Sequence, residues 1–178
     1  SAGIFAFQTC SIIAKTSSAY DANKVLMGVS DLTNAHGEKN PDNYAYVIQC
    51  NFAASTQCTS SNKVIGLSSV TNAHAEITSG NDYTTNVCYG DLSCISSTDE
   101  CGTATAVNYP LGILSLSADT NAHIGTFTDY STKICCASPT SRFAFWSKDG
   151  QTSISVTDVV PGTTEVKMFI RNSVPSNA

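Results

Sequence analysis

The sequence predicts an all-β fold: one disulfide-stapled domain of about ten strands, arranged as a two-sheet, jelly-roll-like β-sandwich. Three observations predict it. Short segments enriched in Val, Ile, Tyr and Thr alternate in hydrophobicity with period 2, and no stretch pairs a 3.6-residue period with helix-forming residues. Eight cysteines, an even number without a C-x-x-C pair, sit in a chain of 178 residues that is a quarter Ser and Thr. One strand–loop–strand unit occurs three times.

Taken in order, residues 3–9 and 11–16 read as strands, and residues 17–24 as a stretch with room for a short turn. In the next strand Val25, Met27 and Val29 share one face, with Leu26, Gly28 and Ser30 on the other. Its partner places Tyr44, Tyr46 and Ile48 opposite Ala45, Val47 and Gln49. Apolar runs at 64–67 and 111–116 occupy the corresponding places in the second and third units. Residues 88–110 form a Cys-rich excursion. The C-terminal portion, 142–171, reads as a meander: a strand at 142–147, a turn through Gly150, a strand at 152–160, a type II turn at Pro161-Gly162, and a last strand at 165–171. Residues 1–178 thus form a single domain, with the three hairpin units over 25–136.

The repeat is Ser30-Asp31-Leu32-Thr33-Asn34-Ala35-His36, then Ser68-Ser69-Val70-Thr71-Asn72-Ala73-His74, then Ser117-Ala118-Asp119-Thr120-Asn121-Ala122-His123. Five of the seven positions are identical in all three copies, and every histidine of the chain belongs to one of them. A tyrosine follows each copy (Tyr44, Tyr83, Tyr130), and then a cysteine (Cys50, Cys88, Cys135). The histidines are 38 and then 49 residues apart, a spacing too uneven for a uniform solenoid or a regular β-trefoil.

Two chemistries suit the motif. As a bend, Asn34, Asn72 and Asn121 tolerate the left-handed region, Ser and Thr hydroxyls satisfy backbone groups leaving the ladder, Ala fits a tight space, and His bonds a carbonyl. As a metal site, His36, His74 and His123 would form a tripod for zinc or copper with water in the fourth position. The tripod needs the three copies to converge about a pseudo-threefold and fails if they lie side by side. Repeated polar loops also suit contacts between subunits.

Cys10, Cys50, Cys58, Cys88, Cys94, Cys101, Cys135 and Cys136 read as disulfides of an oxidising compartment. The pairing stays open. Adjacent Cys135 and Cys136 point to opposite faces of a strand and so need different partners. At least one of Cys88, Cys94 and Cys101 should staple the loop they share. The opening Ser1-Ala2-Gly3 suits a mature end left by cleavage at a small-residue site.

Net charge is −5, only 13% of residues are charged, and no Lys/Arg cluster occurs, which argues against nucleic acid and anionic membrane as partners. No apolar run approaches the length of a membrane span, which also excludes the long N-terminal helix of a type IV pilin. An enzyme is not expected. There is no G-x-S-x-G elbow, the thiols are expected to be oxidised, and no phosphate-binding or dinucleotide glycine pattern appears. Asp91, Asp99 and Glu100 share the Cys-rich loop, as a solvated patch or a calcium site. No cofactor is implied, and no N-x-S/T sequon occurs.

The pattern L-S-x-x-T-N-A-H … Y-x-x-K-I/V-C-C resembles repeats in large surface proteins of uncultivated archaea and bacteria. Leu116 to His123 with Tyr130-Ser131-Thr132-Lys133-Ile134-Cys135-Cys136 matches it best, and Leu67 to His74 with Val87-Cys88 follows. The first copy departs, with Val29 in place of Leu and Gln49-Cys50 at its end. The resemblance spans 25–136 and implies an extracellular, β-rich, structural role, with no catalytic residues to carry over. The composition also resembles subunits of secreted filaments that polymerise by donated strands. The uncharged Ser1 to Phe7 segment, with Ile4, Phe5, Ala6 and Phe7, is the candidate donor, and its alternative is pairing within its own sheet.

The reading is therefore a non-enzymatic extracellular structural protein. It would be the subunit of a pilus-like cell-surface filament or surface layer, with copies of itself as partner. The alternative is a surface binding module of an adhesin, for glycans or a metal ion, with Trp146 as the one tryptophan available to a sugar.

Overall fold

The structure, a computed structural model, describes residues 9–52, 58–59 and 61–137. The candidate donor Ile4, Phe5, Ala6 and Phe7, the meander at 142–171 and Trp146 lie outside the described residues.

The described chain is all-β and disulfide-stapled, as the period-2 pattern predicts. Its strands are β1 (Cys10–Ala14), β2 (Val25–Val29), β3 (Gly37–Glu38), β4 (Tyr46–Cys50), β5 (Lys63–Leu67), β6 (Ala75–Glu76), β7 (Thr85–Cys88), β8 (Ser93–Ser97), β9 (Leu111–Leu116), β10 (Ile124–Gly125) and β11 (Thr132–Ala137). Two 3-10 turns, Ala22–Lys24 and Ala104–Ala106, complete the set. The first falls within the stretch expected to turn, and Asp21 caps it by accepting from the Asn23 amide.

The strands form three antiparallel sheets, ordered β1-β4-β2-β3, β6-β5-β7 and β10-β9-β11-β8. Each repeat contributes one long strand, a two-residue strand and a second long strand, with the first long strand central within the unit. The registers coincide. Val29 faces Tyr46, Leu67 faces Thr85 and Leu116 faces Thr132. Two residues further on, Met27 faces Ile48, Ile65 faces Val87 and Leu114 faces Ile134. All three ladders then shift at the same place, skipping Leu26, Val64 and Ile113.

The three units close into a ring through their shortest strands. Ala35 exchanges both backbone hydrogen bonds with Ile124 (2.8 and 2.9 Å), Ala73 with Gly37 (3.0 and 2.8 Å), and Ala122 with Ala75 (2.9 and 2.8 Å). In each case the alanine of one copy meets the residue after the histidine of another, so the pattern is a quasi-threefold. The ends of the ring differ. Lys39 N–H reaches Val70 O and Ile77 N–H reaches Asp119 O, but the corresponding Thr126 N–H is taken by the Asp129 carboxylate.

The core gathers on this axis. Met27, Ile65 and Leu114 form one layer and Val29, Leu67 and Leu116 the next, all fully buried. Each such side chain contributes about 1.5–3 kcal/mol on leaving water. An axis cannot hold three large groups, and the repeats resolve this by size: Gly37, Ala75 and Ile124 occupy equivalent places. A Cβ on Gly37 would come within 2.5 Å of the Met27 side chain and 3.1 Å of that of Ile124.

Uneven spacing between copies does not prevent the threefold. The extra length leaves the ring after β7 and returns before β9, placing β8 along the outer edge of β11. Correspondingly, β1 covers the outer edge of β4. All eight cysteines pair, as Cys10–Cys50, Cys58–Cys88, Cys94–Cys136 and Cys101–Cys135. Cys135 and Cys136 take different partners, and Cys101 does staple the excursion to β11, as expected. Cys10 lies opposite Cys50, and Cys94 opposite Cys136, so two bonds fasten an outer strand to its neighbour in register.

Candidate functional site

The repeated heptad folds into the same loop three times, and most of its identities have a local cause. The serine amide donates to the histidine carbonyl across the loop, at 2.9 Å for Ser30, 2.9 Å for Ser68 and 3.0 Å for Ser117. The serine Oγ accepts from the histidine amide at 2.9, 3.1 and 2.9 Å. The asparagine stands in the left-handed region, with φ of 50° at Asn34 and 49° at Asn72 and Asn121. Asparagine enters that region more readily than other side-chain-bearing residues. Ala35, Ala73 and Ala122 are fully buried where the ring closes.

Two residues after His36 and His74 stand Glu38 and Glu76, fully buried carboxylates that the sequence reading passed over. Glu38 accepts from the amides of Asn43 and Tyr44 and from Asn43 Nδ2. Glu76 accepts from the Asp82 amide and pairs with Lys63 Nζ at 3.1 Å. Each lies across its ladder from a glycine, Gly28 or Gly66, whose missing Cβ leaves room for the carboxylate. The third unit reverses the sizes: Gly125 lies opposite Ser115, and Ser115 Oγ donates to Thr126 O and accepts from the Tyr130 amide. The signal available in the sequence was the shared Gly–Glu spacing of units one and two. These groups brace the loops.

The histidine rings are not explained by the bend. His36, His74 and His123 are half-buried and turn toward one another, with ring centroids 4.8, 5.0 and 5.1 Å apart. Nε2 of His36 lies 3.1 Å from Nε2 of His74, and one nitrogen from each ring falls within 4.8 Å of the others. The side-chain-to-carbonyl bond expected of a bend histidine is not what orients them. Burial holds the His123 imidazolium below the usual histidine range, and the positive charge available to His74 and His36 adds to it.

Among the described residues, this is the one group of His, Cys, Asp or Glu close enough to share an ion. The acids of the Cys-rich loop do not gather. Asp99 accepts from the Thr105 amide and hydroxyl, and Glu100 pairs with Lys133 at 3.5 Å. A cleft of about 440 Å³ is bordered by Asn23, Lys39, Cys58, Cys88 and Tyr89. Tyr89 among them is held by its hydroxyl, which lies 2.9 Å from Lys24 O and 2.6 Å from Phe52 O. Burial, and then the Asp21 charge, push that phenol up to about 12.

Comparison with family models, curated proteins and solved structures returns no match for this chain.

Proposed function

We propose that this chain is a non-enzymatic structural protein of a cell surface, the subunit of a filament or layer that joins its copies by donating an N-terminal strand. One observation carries the reading. The repeats make three equivalent outer edges, and two of them are covered, β4 by β1 and β11 by β8. Among the described residues, no strand pairs with β7 on the side away from β5, although Cys58 is bonded to Cys88 and its Sγ lies 3.5 Å from Asn86 O. The side-chain Oδ1 of Asn86, on β7, is buried and has no hydrogen-bond partner among the described residues. An edge without a paired strand is a template for an incoming one, and main-chain hydrogen bonds give such a joint its affinity. The Ile4-Phe5-Ala6-Phe7 segment has the uncharged, apolar composition that a donated strand needs. Four disulfides suit an oxidising exterior and a mechanical load.

The experiment compares the oxidised full chain with a chain lacking residues 1–8, by native mass measurement and negative-stain microscopy. The full chain should assemble. The truncated chain should remain monomeric and take up a synthetic peptide of residues 1–8. Monomers from the full chain at all concentrations, or assemblies indifferent to the truncation, would overturn the reading. The second reading, a displayed binding module, is favoured by the convergence of the three imidazoles.

A further inference from the structure

We infer that His36, His74 and His123 form a binding site for one divalent transition-metal ion of the imidazole-preferring kind, zinc or copper, with its fourth position open to an exogenous ligand. The site is independent of strand donation, since it lies on the ring axis and not on an outer edge.

Geometry carries the inference. Three imidazole nitrogens held about 2.0–2.1 Å from a tetrahedral ion stand about 3.3 Å from one another. One pair here is already at 3.1 Å, and all three ligand atoms lie within 4.8 Å, at most about 1.5 Å beyond the closed spacing, a gap on the scale of side-chain rotation. The backbones that carry the rings are pinned. Each histidine follows an alanine bonded to a neighbouring repeat, and its own amide and carbonyl are bonded within the loop. The ordering of three ligands has thus been met by folding, which favours uptake of the ion.

Chemistry points the same way. The turn needs the serine, the asparagine and the alanine, but no bond of the turn uses an imidazole ring. A ring kept in three copies of a loop that does not use it, and aimed each time at the same axis, has a common task. Among the described residues, the contact between His36 and His74 is the one hydrogen bond made by these rings, and no carboxylate or carbonyl satisfies them. Three neutral imidazoles leave the charge of a divalent ion uncompensated, which suits water or a small anion in the remaining position. Imidazole donors select zinc and copper over magnesium and calcium, which take oxygen ligands.

The test titrates the oxidised full-length chain with zinc sulfate and with copper sulfate by calorimetry, and follows the imidazole nitrogens by long-range 15N–1H NMR in the zinc titration, zinc being diamagnetic. We expect one ion per chain, simultaneous shifts of all three rings, and a melting temperature that rises with free metal and returns with chelator. His74→Ala and His123→Ala should weaken binding by more than the roughly 10- to 100-fold that loss of an outer-shell partner costs. Magnesium and calcium should have no effect. The proposal fails if the folded, disulfide-intact chain takes up neither zinc nor copper, or if bound zinc leaves the nitrogens of any of these three rings unshifted. The NMR arm uses the unmutated chain, so it decides the matter even if a variant does not fold.

Discussion

At the scale of single residues, the repeat separates positions that shape the loop from those that are free to do something else. Asn72 is exposed and left-handed, so its side chain is there for backbone conformation. Asn72→Ala should cost about 1 kcal/mol, since alanine meets the left-handed penalty in full, whereas Asn72→Gly should be close to neutral. Denaturant midpoints would separate the two. Gly66 acts through space instead: a Cβ would collide with Glu76 Oε1 and lie 2.7 Å from its Cγ. Gly66→Ala should therefore destabilise by about 1–3 kcal/mol, and combining it with Glu76→Ala should cost less than the sum of the two changes. Tyr89 gives a pH signature. Its folded pKa is raised, so the unfolded chain releases this proton first and stability falls as pH climbs from about 10 to about 12. The loss is of order 2–3 kcal/mol. In Tyr89→Phe that part of the alkaline slope should vanish, as read by unfolding at fixed pH steps.

At the scale of elements, legibility followed periodicity. The strands at 25–29, 64–67 and 111–116 were readable because apolar residues alternate or run there, and each is bounded by the polar heptad. The short strands β3, β6 and β10 were not. Two residues carry no period, and their strand character comes from the neighbours on either side. Nor was β8 legible. Ser93-Cys94-Ile95-Ser96-Ser97 has little hydrophobic signal, and it is a strand because five register partners on β11 and the Cys94–Cys136 bond hold it. That dependence gives a prediction. The Cys94–Cys136 bond spans 42 residues, for which loop entropy gives about 4 kcal/mol. Replacing both cysteines by serine should lower stability by about 2–5 kcal/mol and speed amide exchange in β8 more than in β5. Equal effects on both strands would show that the bond fastens no particular edge.

At the scale of the whole molecule, the sequence showed three copies and the cysteine chemistry but not their mutual arrangement. The strand count argued for a two-sheet sandwich and the uneven spacing against a trefoil, while the described strands pair as three antiparallel sheets joined by bridges between repeats. The difference lies in where extra chain can go. A loop that leaves and re-enters at the surface lengthens the interval without moving the strands it connects, and loop closure grows costly only slowly with length. The histidines followed the same logic. Their identity was visible from the repeat, but their convergence depends on six backbone hydrogen bonds between residues far apart in the chain. No local pattern encodes such bonds. The axial volumes of Gly37, Ala75 and Ile124 are the nearest trace of them in the sequence.

The account therefore rests on the ring that joins the three repeats, and amide hydrogen exchange of the oxidised chain tests it most directly. The amides of Ala35, Gly37, Ala73, Ala75, Ala122 and Ile124 all donate between repeats. They should exchange together, among the slowest in the protein, with opening free energies near that of global unfolding. Exchange of these six at the rate of the exposed loop amides, or of one pair much faster than the other two, would contradict it.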